Sequence, residues 1–229
     1  MQLNHHQPTN PSESMKSLKH FLPLLTGTAL LLACSQAGAA GYKLADKVGA
    51  SIAEFRDEIV DVKKAVDTTL ASLDKIIAQA TIDPRKPFKE FEKNVPRIDS
   101  AAARAKKRAK DMTETGKDYF TKWEKEMAAV SDPDIRKLAE ERKAKLQATF
   151  GNIRTSMEPT RDQFNAWLAD LKDLQKYLSN DLTIGGVDAA KELIAKNKAE
   201  GLAVQQSLDK AIGELNTVVA TITPAKVKK

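Results

Sequence analysis

The sequence predicts an all-α protein, a long antiparallel coiled-coil-like bundle of about four helices. Three observations carry that prediction. Apolar residues recur at alternating spacings of three and four, the a/d pattern of helices that each bury one narrow stripe. Aromatic residues are only 5% of the 229 residues and charged residues are 30%, which suits narrow seams better than a thick globular core. Prolines and glycines stand where the periodic runs stop.

The first element is a targeting segment. Lys16, Lys19 and His20 form a basic start, and residues 21–33 are an apolar run broken by Pro23 and Gly27. That run is short of the about 20 residues a membrane-spanning helix needs, so it reads as a secretory signal. Residues 1–14 are polar, and Met15-Lys-Ser-Leu-Lys makes a more ordinary start; the first fourteen residues read as an extension. Two cleavage sites compete. Leu31-Leu32-Ala33-Cys34 has the form of a lipobox, in which the Cys thiol is acylated and becomes the mature N-terminus. Ala37-Gly38-Ala39 fits ordinary signal peptidase. The lipobox is the favoured reading, because Cys34 is the one cysteine and stands at the end of the apolar run. Ser35 follows it, where an Asp would hint at inner-membrane retention. The expectation is an exported chain: a periplasmic, outer-membrane lipoprotein by the first site, a soluble periplasmic or secreted protein by the second. The organisation is then a signal over 1–33, a short linker over 34–41, one elongated bundle over 42–223, and a basic tail over 224–229.

The first seam is Val48, Ile52, Phe55, Ile59, Val62, Val66, Thr69, Leu73, Ile76 and Ala80, stopped by Asp83-Pro84. Residues 84–96 hold Pro84, Pro87 and Pro96 and read as a connector with one helical turn around Phe88 and Phe91. The second helix then starts near Pro96. Its seam is Ile98, Ala102, Ala105, Ala109, Met112, Gly116, Tyr119 and Trp123, whose small residues are expected to admit a neighbouring helix closely. Ser131-Asp132-Pro133-Asp134 is a helix start with a capping side chain, a first-turn proline and an acid at the positive end. The third seam is Leu146, Phe150, Ile153, Met157, Thr160, Phe164, Trp167, Leu171, Leu174 and Leu178. Pro159 predicts a kink, since the phase continues across it. Ile135 and Leu138 are out of phase, which predicts a stutter near Arg142. Gly185-Gly186 is expected to end this helix. The fourth seam is Val187, Ala190, Ile194, Asn197, Gly201, Val204, Leu208, Ala211, Leu215, Val218 and Ile222.

Composition excludes much chemistry. The three histidines, His5, His6 and His20, all lie in or before the signal, and Cys34 has no partner. The mature chain therefore lacks His/Cys zinc sites, histidine general bases and an intrachain disulfide. No Gly-rich phosphate loop or serine-nucleophile motif occurs. No catalytic residue, cofactor or metal is expected.

The candidate site residues are few. Arg104, Lys106, Lys107, Arg108 and Lys110 form a basic cluster on the second helix. Its ordinary reading is a solvated face; its functional reading is contact with anionic lipid or cell-wall polymer, in keeping with a net charge of +6. Nucleic acid is not expected, because the cluster lacks interleaved aromatics and the chain is exported. Tyr119, Trp123 and Trp167 are more simply core than a ligand pocket. Asn197 on a seam is more simply a register-fixing residue than a ligand contact. Glu124, Glu126, Glu140 and Glu141 are ordinary surface acids.

Residues 42–49 (Tyr-Lys-Leu-Ala-Asp-Lys-Val-Gly) with Arg56-Asp57, the run Tyr119-Phe120-Thr-Lys-Trp123-Glu-Lys-Glu126-Met127, Met157-Glu-Pro159 and the leucine-rich residues 171–182 together resemble a bacterial family catalogued as domain of unknown function 2959. The resemblance covers most of the mature chain. It implies an exported, often lipobox-bearing helical protein and implies no activity. This chain departs from the pattern by extra residues between Val48 and Arg56 and by a longer stretch between Cys34 and Tyr42.

The functional expectation is a non-enzymatic structural or adaptor protein, tethered to a membrane through Cys34 and serving a protein partner. The alternative is a binding module for anionic lipid or cell-wall polymer through the second helix. A homo-oligomer is compatible with either, since a seam looks the same whichever chain supplies its neighbour.

Overall fold

All ten residues of the first seam are buried. All but Ala80 belong to α1 (Ala37–Ala78), in a computed structural model that describes residues 37–223. The signal segment, Met15, Cys34 and the basic tail lie outside the described residues. The other elements are α2 (Arg85–Ala128), α3 (Pro133–Asn180), the short α4 (Ile184–Ala189) and α5 (Lys191–Ile222). The described residues are 92% helical and include no strand. None of the described helices is long and apolar enough to cross a membrane.

The four long helices form a closed ring, α1 packing on α2 and α5, and α3 packing on the same two. Polar cross-links give the directions. Arg56, Lys63, Asp67 and Asp74 of α1 meet Asn216, Asp209, Gln205 and Lys198 of α5, so each step up one helix is an equal step down the other. Arg104 and Arg108 of α2 likewise meet Glu58 and Glu54 of α1. Neighbours are antiparallel throughout. All eleven residues of the fourth seam are buried, and with the first seam they form one side of the core.

The helices are longer than the sequence suggested. α1, α2 and α3 hold 42, 44 and 48 residues, or roughly 60–70 Å each at a rise of about 1.5 Å per residue. α5 has only 32 residues. Thr223 abuts Gly49, and the Arg142 guanidinium donates to the Thr221 carbonyl at 3.5 Å, so α1, α2 and α3 all continue past the end of α5.

Several expectations are corrected. The second helix starts at Arg85, not Pro96, and the three-proline connector is helix apart from Pro84. Phe88, Phe91 and Val95 are buried beside Ile98, extending the seam upstream at the same spacing. A proline inside a helix costs about 3 kcal/mol, but each buried apolar side chain returns about 1.5–3 kcal/mol. Pro96 is also exposed, on the solvent side of the helix, where a missing helical hydrogen bond costs least. Pro159 is exposed in the same way, and α3 runs through it without a break, in keeping with the unshifted phase of the third seam.

The stutter near Arg142 is absent. Half-buried Ala139 and Lys143 continue the phase of Leu146 backwards. Ile135 and Leu138, 52% and 68% exposed, lie where α3 overhangs α5 and has less to pack against. Gly185-Gly186 does not end α3, which stops at Asn180; both glycines lie in α4. Thr183 caps α4, its hydroxyl accepting the Gly186 N–H at 3.0 Å, and the Asp181 carboxylate accepts the Thr183 N–H and hydroxyl. Any side chain at Gly186 meets Asp181, which is why glycine stands there. The fourth seam thus begins in α4 and continues in α5, with Ala190 between them. α1 begins at Ala37, inside the stretch read as a linker. Asp132 is the α3 cap, accepting from the N–H groups of Asp134 and Ile135 at 2.8 and 3.2 Å.

Candidate functional site

The basic cluster divides by helical position. Arg104, Arg108 and Asp111 recur at four and three, which turns them to α1. Arg104 meets Glu58 at 2.9 Å and Asp61 at 3.8 Å, and Arg108 meets Glu54 at 2.9 Å. Lys107 lies 3.3 Å from Asp111 and Lys110 lies 3.7 Å from Glu114. These four cations form part of an ion-pair belt. Lys106 shares the opposite flank with Ala102 and Ala109, and it has no carboxylate partner among the described residues.

On that flank lies a feature the sequence reading missed. Between α2 and α3 runs a cleft of about 720 Å³. Ala102, Ala105, Ala109 and Met112 form its α2 wall, and Ile153, Met157, Thr160 and Phe164 its α3 wall. Phe55, Ile59 and Val62 of α1 and Leu208 of α5 close the floor. Lys106, Asp99, Arg154, Glu158 and Arg161 reach its rim. The small residues of the second seam were expected to draw a neighbour in. On the α1 side Ala101 and Ala105 are buried; on the α3 side the gap stays open.

Bulky layers at both ends explain the opening. Toward the α2–α3 turn, Tyr119 stacks edge-on with Phe120 and Trp123, and Phe120 with Phe150, at centroid distances of 5.3–5.7 Å. The Phe150 ring lies against Gly116, where a Cβ would come within 2.7 Å of it. Toward the other end, Phe164 and Trp167 make a second edge-on pair at 6.2 Å. The alanines between are too short to close the space that these aromatic layers hold open. Small residues flanked by aromatics, three and four apart, were the signal in the sequence.

The remaining candidates are structural. Trp167 is 1% exposed, and its indole N–H donates to the Asn197 carbonyl at 2.8 Å. That bond sets the α3–α5 register through the Asn197 main chain. The Asn197 side chain turns back onto Leu193 of its own helix. Gly201 makes room for the indole. Neither tryptophan nor Tyr119 lines the cleft. Burial pushes the Tyr119 hydroxyl pKa up. Glu124 pairs with Lys143 at 2.8 Å, and Glu126, Glu140 and Glu141 are exposed. No cluster of three or more metal-ligating side chains occurs among the described residues. What the arrangement offers chemically is an apolar trough with a charged rim.

No curated protein and no solved structure matches the chain. One family model does, over residues 35–222, and it takes in every helix from α1 to α5 but the first residues of the sequence lie outside it. The chain belongs to that family, whose description is a protein of unknown function, DUF2959.

Proposed function

We propose that this chain is a non-enzymatic, exported structural or adaptor protein: a helical rod held at a membrane, in the periplasm, by a lipid on Cys34. The observation that carries the reading is the architecture itself. The long helices spend most of their apolar residues on seams inside the ring, and their outer faces are mostly polar and linked by ion pairs. Such a rod offers length and surface rather than a reaction centre. Only two residues separate Cys34 from the first residue of α1, so an acyl group there would hold the rod close to the bilayer. The test is fractionation of cells carrying the full chain or Cys34→Ser. The variant is expected in the soluble fraction, and a pull-down from native membranes, read by mass spectrometry, should lose the partner with it. A mature N-terminus at Ala40 or Gly41 contradicts the lipid anchor.

The second reading, contact with anionic lipid or cell-wall polymer through α2, has less support. Arg104, Lys107, Arg108 and Lys110 already stand beside carboxylates. Their reversal should leave binding to anionic vesicles unchanged at moderate salt, where exposed charges are screened beyond about 10 Å.

A further inference from the structure

We propose that the α2–α3 cleft binds a long-chain fatty acid, its alkyl chain in the trough and its carboxylate at Lys106. The inference goes beyond the tethered-rod reading and does not rest on it. The cleft's 720 Å³ falls within the ~300–1,000 Å³ typical of ligand sites. Its shape narrows the choice. Asp99 and Thr113 mark its ends on α2, a length of roughly 20 Å at about 1.5 Å per residue. A trough of that length accepts one extended alkyl chain.

The lining fits the same occupant. Ala102, Ala109, Met157 and Phe164 present only apolar atoms, and a methionine adapts to a flexible chain. No buried polar side chain lines the trough to hold a sugar or a peptide bond, so an occupant must bring its polar group to the rim. There Asp99 is neutralised by Lys172 at 2.8 Å, whereas Lys106 is unpaired among the described residues. An anionic head group is the complement of that asymmetry, and a single chain of carboxylic acid supplies it.

The test uses the full chain and cis-parinaric acid, a fluorescent fatty acid, displaced by hexadecanoate, by hexadecanol or by a lysophospholipid. Saturable one-to-one binding is expected, with hexadecanoate about fivefold better than hexadecanol. Ala109→Phe fills the trough and should weaken binding about tenfold or more, the equivalent of two lost methylene contacts, with its thermal melt retained. Lys106→Glu, on the exposed rim, should remove the preference for hexadecanoate; it decides the question even if Ala109→Phe misfolds. Absence of saturable binding, or binding that survives Ala109→Phe in a folded protein, overturns the site. Hexadecanol or the lysophospholipid displacing better than hexadecanoate overturns the carboxylate assignment.

Discussion

The α1–α5 face and the α2–α3 face of the same ring are held together in opposite ways. Between α1 and α5, polar cross-links recur along the length at Arg56, Lys63, Asp67 and Asp74, and beneath them every seam position is filled. Between α2 and α3, two ion pairs occur among the described residues, Lys143–Glu124 near one end and Lys172–Asp99 toward the other. The cleft lies in the stretch they bracket. The difference teaches that an unbroken a/d pattern guarantees a buried stripe but not a closed interface. Closure depends on side-chain size in register on both helices. Val, Ile and Leu meet their match across α1 and α5, and alanine on α2 does not reach α3.

The largest effect is expected at the closed α3–α5 contact beside the cleft. Trp167→Ala removes a fully buried ring and the bond that sets the α3–α5 register, and should cost about 3–5 kcal/mol in denaturant unfolding. Truncating Met157 in the cleft, already half-buried, should cost well under the ~2–5 kcal/mol of a packed Met→Ala change. Equal losses at the two sites would erase the contrast.

A glycine pair sharpens it. A Cβ at Gly201 would lie 2.6 Å from Leu70 and 3.0 Å from Trp167, so Gly201→Ala should destabilise by about 1–3 kcal/mol through overpacking. Gly213, on the same helix, has open space, and Gly213→Ala should stabilise by about 0.5–1 kcal/mol through helix propensity. Thermal melts of the two variants should therefore move in opposite directions.

Much of the closed side was legible in the sequence, and the open side was not. Every position assigned to the first and fourth seams is buried, because nothing there competes with the heptad pattern. The second seam was cut short at Ile98 because prolines stop helices in general; at Pro96 a solvent-facing position and the buried Phe88, Phe91 and Val95 outweigh that rule. Ile135 and Leu138 suggested a stutter because sequence phase cannot reveal that α5 ends level with Gly49. The cleft escaped because Ala102, Ala105 and Ala109 say that a neighbour has room to approach, while the aromatics that hold it away lie on two helices. The basic cluster looked like one patch along the chain, whereas helical spacing sends Arg104 and Arg108 to α1 and Lys106 to the cleft.

The smallest effect concerns the turns at the end of the ring away from the α2–α3 turn. Hydrogen bonds from Arg85 hold the Asp83 carboxyl below its usual range, the Lys75 ammonium does the same for Glu90, and Thr183 for Asp181. A depressed folded pKa contributes stability that is present above the unfolded value and lost as pH falls through the folded one. Stability should therefore decline below about pH 4, with a shallow slope because these groups are exposed. Asp181→Asn, which cannot titrate, should flatten it.

The most direct test of the open and closed faces is one substitution made twice. Ala109 stands in the cleft wall, and Ala211 is buried in the fourth seam. Changing each to Leu adds the same three carbons to a seam alanine. The expected result is that Ala211→Leu lowers stability by about 1–3 kcal/mol from overpacking, while Ala109→Leu is neutral or stabilising because the trough accepts it. Equal destabilisation by both, in urea titrations of the two variants, would mean that α2 and α3 are closed on each other and that the cleft does not exist.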